Sequence, residues 1–137
     1  MKFVCCFVLL VASIIARAFV LEENYENLFK IIKEKCVAEV HVDKSIVDRL
    51  DSDVPFPTME ELKCYTQCLY TKYGLFDDDG TLIGNKFSSF LPVELYGKEK
   101  AAAKICIKNN MDRCKASYDT HKCYLHLSFH PDALKMN

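Results

Sequence analysis

The 137-residue chain sets 18 Lys and Arg against 19 Asp and Glu, and half of its residues are hydrophobic. That balance, with no basic run or patch, gives nucleic acid or an anionic membrane nothing to grip. Such a length fits one domain with its own hydrophobic core.

The first residues read as an export signal. Lys2 supplies a positive start, Phe3 to Ala16 is apolar apart from Ser13, and Ala16-Arg17-Ala18 places small residues where a signal peptidase cuts. Removal of residues 1–18 is expected, leaving residues 19–137 as a single helical domain. The apolar run is shorter than the roughly 20 residues that span a bilayer, so no membrane insertion is expected. Losing Lys2 and Arg17 leaves 16 basic residues against 19 acidic, a charge near −3. Cys5 and Cys6 leave with the signal. The six remaining cysteines, Cys36, Cys64, Cys68, Cys106, Cys114 and Cys123, read as three disulfides in an exported chain.

From Tyr25 the apolar positions Leu28, Phe29, Ile32, Cys36 and Val40 follow the three-and-four spacing of one helix face. Ser45 to Leu50 predicts a short second helix, which Val54-Pro55-Phe56-Pro57 ends. Thr58 followed by Glu61 is a capping box that starts a third helix, expected to run through Leu62, Tyr65 and Leu69 to Tyr73, with Gly74 in the left-handed terminal position. Asp77-Asp78-Asp79-Gly80 is a turn, Asn85 to Leu91 a short helix, and Pro92 a break. Lys98 to Asn110, rich in alanine, predicts a fifth helix. Asp119 to Phe129 predicts a sixth, capped by Asp119 and ended by Pro131. No stretch alternates well enough for a strand. The reading is an all-α, compact bundle of about six short helices.

On a regular helix Cys64 and Cys68 lie one turn apart on one face, with Cβ atoms about 5–6 Å apart. A disulfide requires about 3.8 Å, so the two should not bond each other. Excluding that pair removes three of fifteen pairings and leaves twelve, among which spacing does not choose. Cys64-x3-Cys68 with His126-x3-His130 superficially suggests a two-Cys, two-His zinc site. The interval between the pairs is far too long for a finger, and export favours oxidised sulfur, so no metal or other cofactor is expected.

The order Cys36, 27 residues, Cys64, three, Cys68, 37, Cys106, seven, Cys114, eight and Cys123 resembles the insect odorant-binding proteins. The segment KCYTQCLYTKYGLFDDDGTL, Lys63 to Leu82, is similar to that family's stretch around its second and third cysteines. The likeness covers essentially all of residues 19–137. It implies the pairing Cys36 with Cys68, Cys64 with Cys114 and Cys106 with Cys123. It further implies a secreted carrier, in sensillar lymph or another aqueous secretion, that encloses a small apolar ligand within its helices. A membrane olfactory receptor would be a further partner, and monomer and homodimer are both compatible with the sequence.

A greasy interior with few polar handles is what such a carrier requires. Candidate lining residues are Phe29, Ile32, Phe76, Leu82, Phe90, Tyr96, Ile107, Met111, Leu125 and Phe129, and candidate polar handles are Thr66, Thr71 and Tyr118. Each has the plainer alternative of an ordinary core or surface position. His121, His126 and His130 lie close together near the end, and protonating His126 and His130, one turn apart, would add like-charge repulsion to a C-terminal lid.

Catalysis finds little support. His41 is followed by Val42 rather than by the aspartate of a helical phospholipase, and no glycine-rich calcium loop is present. Aligning Gly80 to the glycine of an EF loop puts Leu75 first and Lys86 last, where carboxylates are required. The same fold with another task, carrying amines or lipids in saliva or reproductive fluid, stays open, as does a helical receptor ligand. A buried acid among Asp48, Glu94 and Asp112 would favour amines.

Overall fold

The computed structural model describes residues 24–50, 55–89, 91, 95–109 and 112–136. The expected signal peptide, Phe90, Glu94 and Met111 lie outside them. The chain falls into two compact units, Met1–Lys35 and Cys36–Asn137. In the first, residues 24–35 are helical, and in the second residues 36–40 are helical too; residues 24–40 are denoted α1.

The second unit is built of short helices because caps and breakers come often. Asp43 accepts from the Ser45 N–H at 2.8 Å and caps the single turn α2, Lys44–Val47. The capping box at Thr58 and Glu61 forms in both directions, at 3.2 and 2.7 Å, and opens α3, Met59–Leu62. Arg49 also bonds Glu61, at 2.9 Å.

The expected long third helix is broken. Lys63 (φ 47°) and Cys64 (φ 62°) are both left-handed, and α4 runs separately over Tyr65–Lys72. Two successive non-glycine residues in this region cost roughly 1–2 kcal/mol each. Long-range bonds hold them there: Cys64 is tied to Cys114, Cys68 to Cys36, and the Lys63 ammonium to the His41 carbonyl at 3.1 Å. The Cys68 N–H still donates to the Cys64 carbonyl at 3.2 Å, so the one-turn relation survives although Cys64 caps the helix rather than sitting within it.

After α4 the Gly74 N–H bonds the Thr71 carbonyl and the Leu75 N–H bonds the Tyr70 carbonyl, with Gly74 at φ +68°. This is the Schellman ending that the glycine predicts. The chain then makes a miniature hairpin, with Phe76 and Leu82 bridged antiparallel and the Ile83 N–H bonded to the Leu75 carbonyl at 2.9 Å. Asp77 closes it by accepting from Thr81 at 2.7 Å, and Gly80, at φ +81°, supplies the left-handed residue. The Arg113 guanidinium fills the space that a Cβ on Gly80 would need, and lies 5.8 Å from the Phe76 ring centre.

A 3-10 helix, Gly84–Ser89, stands where a helix over Asn85 to Leu91 was expected. Helix α5 covers Glu99–Cys106, four residues shorter at its end than predicted. Ile107 turns extended (φ −76°, ψ 110°), and Asn109 accepts from the Leu82 N–H at 3.0 Å, so this segment binds the hairpin instead of prolonging the helix. Helix α6 spans Arg113–Phe129, beginning six residues before the expected cap at Asp119. Asp112 is the cap, bonding the Cys114 and Lys115 N–H groups at 2.9 and 3.2 Å, while Asp119 lies inside the helix and pairs with Lys115 at 2.6 Å. A second 3-10 helix, Pro131–Met136, follows the stop at Pro131.

The three disulfides are Cys36–Cys68, Cys64–Cys114 and Cys106–Cys123, with Cα separations of 5.7, 5.0 and 5.3 Å. They staple residues 36–40 to α4, the start of α4 to the start of α6, and the end of α5 to the middle of α6. Among the described residues the architecture is all-α, with no strand beyond the single bridge.

Candidate functional site

The buried face of α6 carries Ser117, Thr120, Tyr124 and Leu127, spaced three, four and three. Helix α4 turns Tyr65, Thr66, Leu69 and Tyr70 inward. The two helices meet through polar tips: the Thr66 and Ser117 hydroxyls stand 3.5 Å apart, and the Tyr70 hydroxyl is 3.4 Å from His121 Nδ1. Phe87, from the first 3-10 helix, completes a cluster of rings. It meets Tyr70 edge-on at 5.3 Å and stacks on Tyr124 at 5.4 Å. At its other side Phe56 packs on Tyr118 and His121, with the Lys122 ammonium 5.9 Å from the Phe56 ring centre. The result is an aromatic interior between α4, α6 and the 3-10 helix.

Burial, reinforced by the neighbouring Tyr124, pushes the Tyr70 phenol well above its usual value, and burial alone pushes Tyr124 up to about 12. Both therefore stand as O–H donors at neutral pH. An unfolded tyrosine ionises near 10. Below pH 10 both states keep the Tyr124 proton; between 10 and 12 only the unfolded chain gives it up, so stability falls as pH rises through that window. A two-unit elevation corresponds to about 3 kcal/mol. The urea midpoint of the wild type should therefore drop more steeply from pH 10 to 11.5 than that of Tyr124→Phe; parallel slopes would refute the buried phenol.

The structure sorts the residues singled out in sequence. Leu82 is buried, and Phe76, Ile107 and Leu125 are half-buried in the second unit. Phe29 and Ile32 belong to the first unit, where the Phe29 ring lies 6.5 Å from Tyr25. Two lining expectations are corrected: Tyr96 and Phe129 are 60% and 47% exposed. Tyr96 lies in the short turn before α5 and Phe129 at the last residue of α6, where little packs over them. Of the polar handles, Thr66 is buried, but Thr71 is on the surface, its hydroxyl bonded to the Gln67 carbonyl at 2.8 Å. Tyr118 donates to the Pro57 carbonyl at 3.0 Å, so its hydroxyl is already engaged. His126 and His130 are exposed with ring centres 4.7 Å apart at the end of α6. The superficial zinc pattern dissolves, because the sulfurs of Cys64 and Cys68 are consumed in two different disulfides.

Sequence reasoning missed Tyr70, Phe87, Thr120 and Tyr124. Asp112 was the available signal for two of them, since a helix phased from it places Ser117, Thr120 and Tyr124 on one face.

A short all-α chain stapled by three disulfides around an aromatic interior defines a class of small braced helical proteins. The chain belongs to the PBP/GOBP family, whose model matches residues 19–126. It is similar to general odorant-binding protein 69a of Drosophila melanogaster, at 23% identity over 95 residues. That match takes in 69% of this chain and 64% of the length of the fly protein. Among solved structures it is similar to Odorant Binding Protein 7 from Anopheles gambiae with four disulfide bridges, in complex with an azo compound. The TM-score is 0.59 at 27% identity, over 82% of this chain and 90% of that one. The medfly odorant-binding protein CcapOBP22/CcapOBP69a shares the fold at a TM-score of 0.57 and 24% identity, over 79% of this chain and 92% of its own.

Proposed function

We propose that the protein is a secreted, non-enzymatic carrier of small hydrophobic molecules, such as odorants or pheromones, moved through aqueous lymph toward membrane receptors. The observation that carries this reading is the ring cluster of Tyr70, Phe87 and Tyr124 inside a disulfide-stapled fold of the PBP/GOBP family. Flat aromatic walls with few polar groups suit a small apolar guest. The mosquito relative complexed with an azo compound supports a guest of that size and character. Among the described residues no helix is long and apolar enough to cross a membrane.

The polarity of the interior favours a neutral guest over an amine. The buried polar side chains of the described residues include Thr66, Ser117 and Thr120, which are hydroxyls. Asp48 and Asp112 are exposed, the first paired with Lys44 and the second capping α6. The test is displacement of an apolar fluorescent probe by long-chain alcohols and aldehydes against biogenic amines. Displacement by the first panel is expected; displacement only by the amines would overturn the preference, and absence of any binding would overturn the carrier.

The His126 and His130 pair is proposed to make release pH-sensitive. Protonating two rings at this separation adds like-charge repulsion where α6 gives way to the Pro131–Met136 helix. Affinity should be lower at pH 5 than at pH 7.5 by at most about twofold, and the difference should be smaller in a His126→Gln/His130→Gln variant. Equal loss in both proteins would move the cause elsewhere.

A further inference from the structure

We propose that Thr120 and Tyr124 form the polar end of the ligand site and donate hydrogen bonds to the carbonyl oxygen of an aldehyde, ketone or ester with an apolar body. The inference rests on the carrier reading and deepens it. Thr120 is fully buried and Tyr124 is 5% exposed, yet neither hydroxyl has a hydrogen-bond partner. Buried polar groups are almost always satisfied, so two orphans on one face of α6 call for an explanation.

The orphans are consecutive positions, one turn apart, on the inward face of α6. The hydroxyls around them are engaged. Ser117 donates to the Arg113 carbonyl at 2.8 Å and approaches that of Cys114 at 3.1 Å. Tyr118 is bonded to Pro57, Tyr70 stands by His121, and Ser128 donates to Leu125 at 2.6 Å. Along α6 the hydroxyls of Ser117, Tyr118 and Ser128 on either side are bonded, whereas those of Thr120 and Tyr124 are not. Thr120 in particular forgoes the bond to its own helix that Ser117 makes one turn earlier.

The chemistry of the missing partner follows from the two groups. Each is a neutral hydroxyl able to donate, and the elevated Tyr124 phenol keeps its proton throughout the physiological range. A carbonyl oxygen offers two lone pairs and carries no proton that would itself require an acceptor. The Phe87 ring stacked on Tyr124 supplies an apolar wall beside that point, suited to the body of the ligand. A cationic head would need a carboxylate here instead.

The test uses the oxidised protein, the probe displacement assay, a medium-chain ketone and the alkane of the same length. Tyr124→Phe and Thr120→Val keep the shapes of the side chains while removing the hydroxyls. Each should weaken the ketone by about three- to tenfold and leave the alkane unchanged. Unliganded Tyr124→Phe should melt no lower than the wild type, because it discards an unsatisfied group. Equal effects on ketone and alkane, or none on either, would overturn the anchor while leaving the carrier standing. If the wild type bound neither ligand nor probe, the carrier reading itself would fail, and the anchor with it.

Discussion

Replacing Cys64 and Cys114 together by alanine should lower the unfolding free energy by about 4 kcal/mol, the value that loop-closure entropy gives for a bridge across 50 residues. On the same basis the Cys106–Cys123 bridge, across 17 residues, contributes about 3 kcal/mol. A domain of this size has roughly 5–15 kcal/mol in all, so the loss would remove a large share of it. The effect reaches function because this bridge joins the first turns of α4 and α6. Those are the helices whose inward faces carry Tyr70, Thr120 and Tyr124. Without it the two faces lose their fixed register, and the probe should bind more weakly even below the melting temperature. Relaxation of the left-handed Lys63 and Cys64 would return part of the lost stability. Urea denaturation of the oxidised variant measures the sum. A loss under about 1 kcal/mol would mean that packing, rather than the covalent staple, sets the register.

Local chemistry was legible wherever it acted over a few residues. The box at Thr58 and Glu61, the Gly74 ending and the Asp77–Gly80 turn all form as their residues dictate. The cysteine spacing carried the pairing through its resemblance to a family, since geometry had left twelve arrangements open. What escaped was set by distant partners. Nothing between Thr58 and Tyr73 forbids one continuous helix, and it is the long-range ties to Cys114, Cys36 and the His41 carbonyl that explain the break at Lys63 and Cys64. At α6 the cap was read as Asp119, whereas Asp112 is the cap. Starting the helix at Asp119 concealed its first turns and with them the phase that turns Thr120 and Tyr124 inward. Tyr96 and Phe129 were misjudged for a different reason, because large apolar side chains are common at surfaces and hydrophobicity alone does not bury them.

Leu75→Ala should destabilise the protein by about 2–5 kcal/mol, whereas Phe129→Ala should cost less than about 1 kcal/mol, although phenylalanine is the larger side chain. Leu75 is 1% exposed and Phe129 is 47% exposed. The alanine at 75 would keep both backbone bonds of the leucine, from its N–H to Tyr70 and from Ile83 to its carbonyl, so the loss isolates the packing of the side chain. In a Schellman ending the residue after the glycine commonly packs against the last turn of its own helix, and here that turn contains Tyr70. Leu75 joins the hairpin to α4 through these backbone bonds, at the point where the chain leaves for the 3-10 helix bearing Phe87. Truncating it loosens the seat of the ring that bridges Tyr70 and Tyr124. Urea denaturation of the two variants under identical conditions decides the matter. Equal losses would mean that the interior beside Phe87 is no better packed than the exposed end of α6, and the aromatic cluster could not then hold a ligand in one orientation.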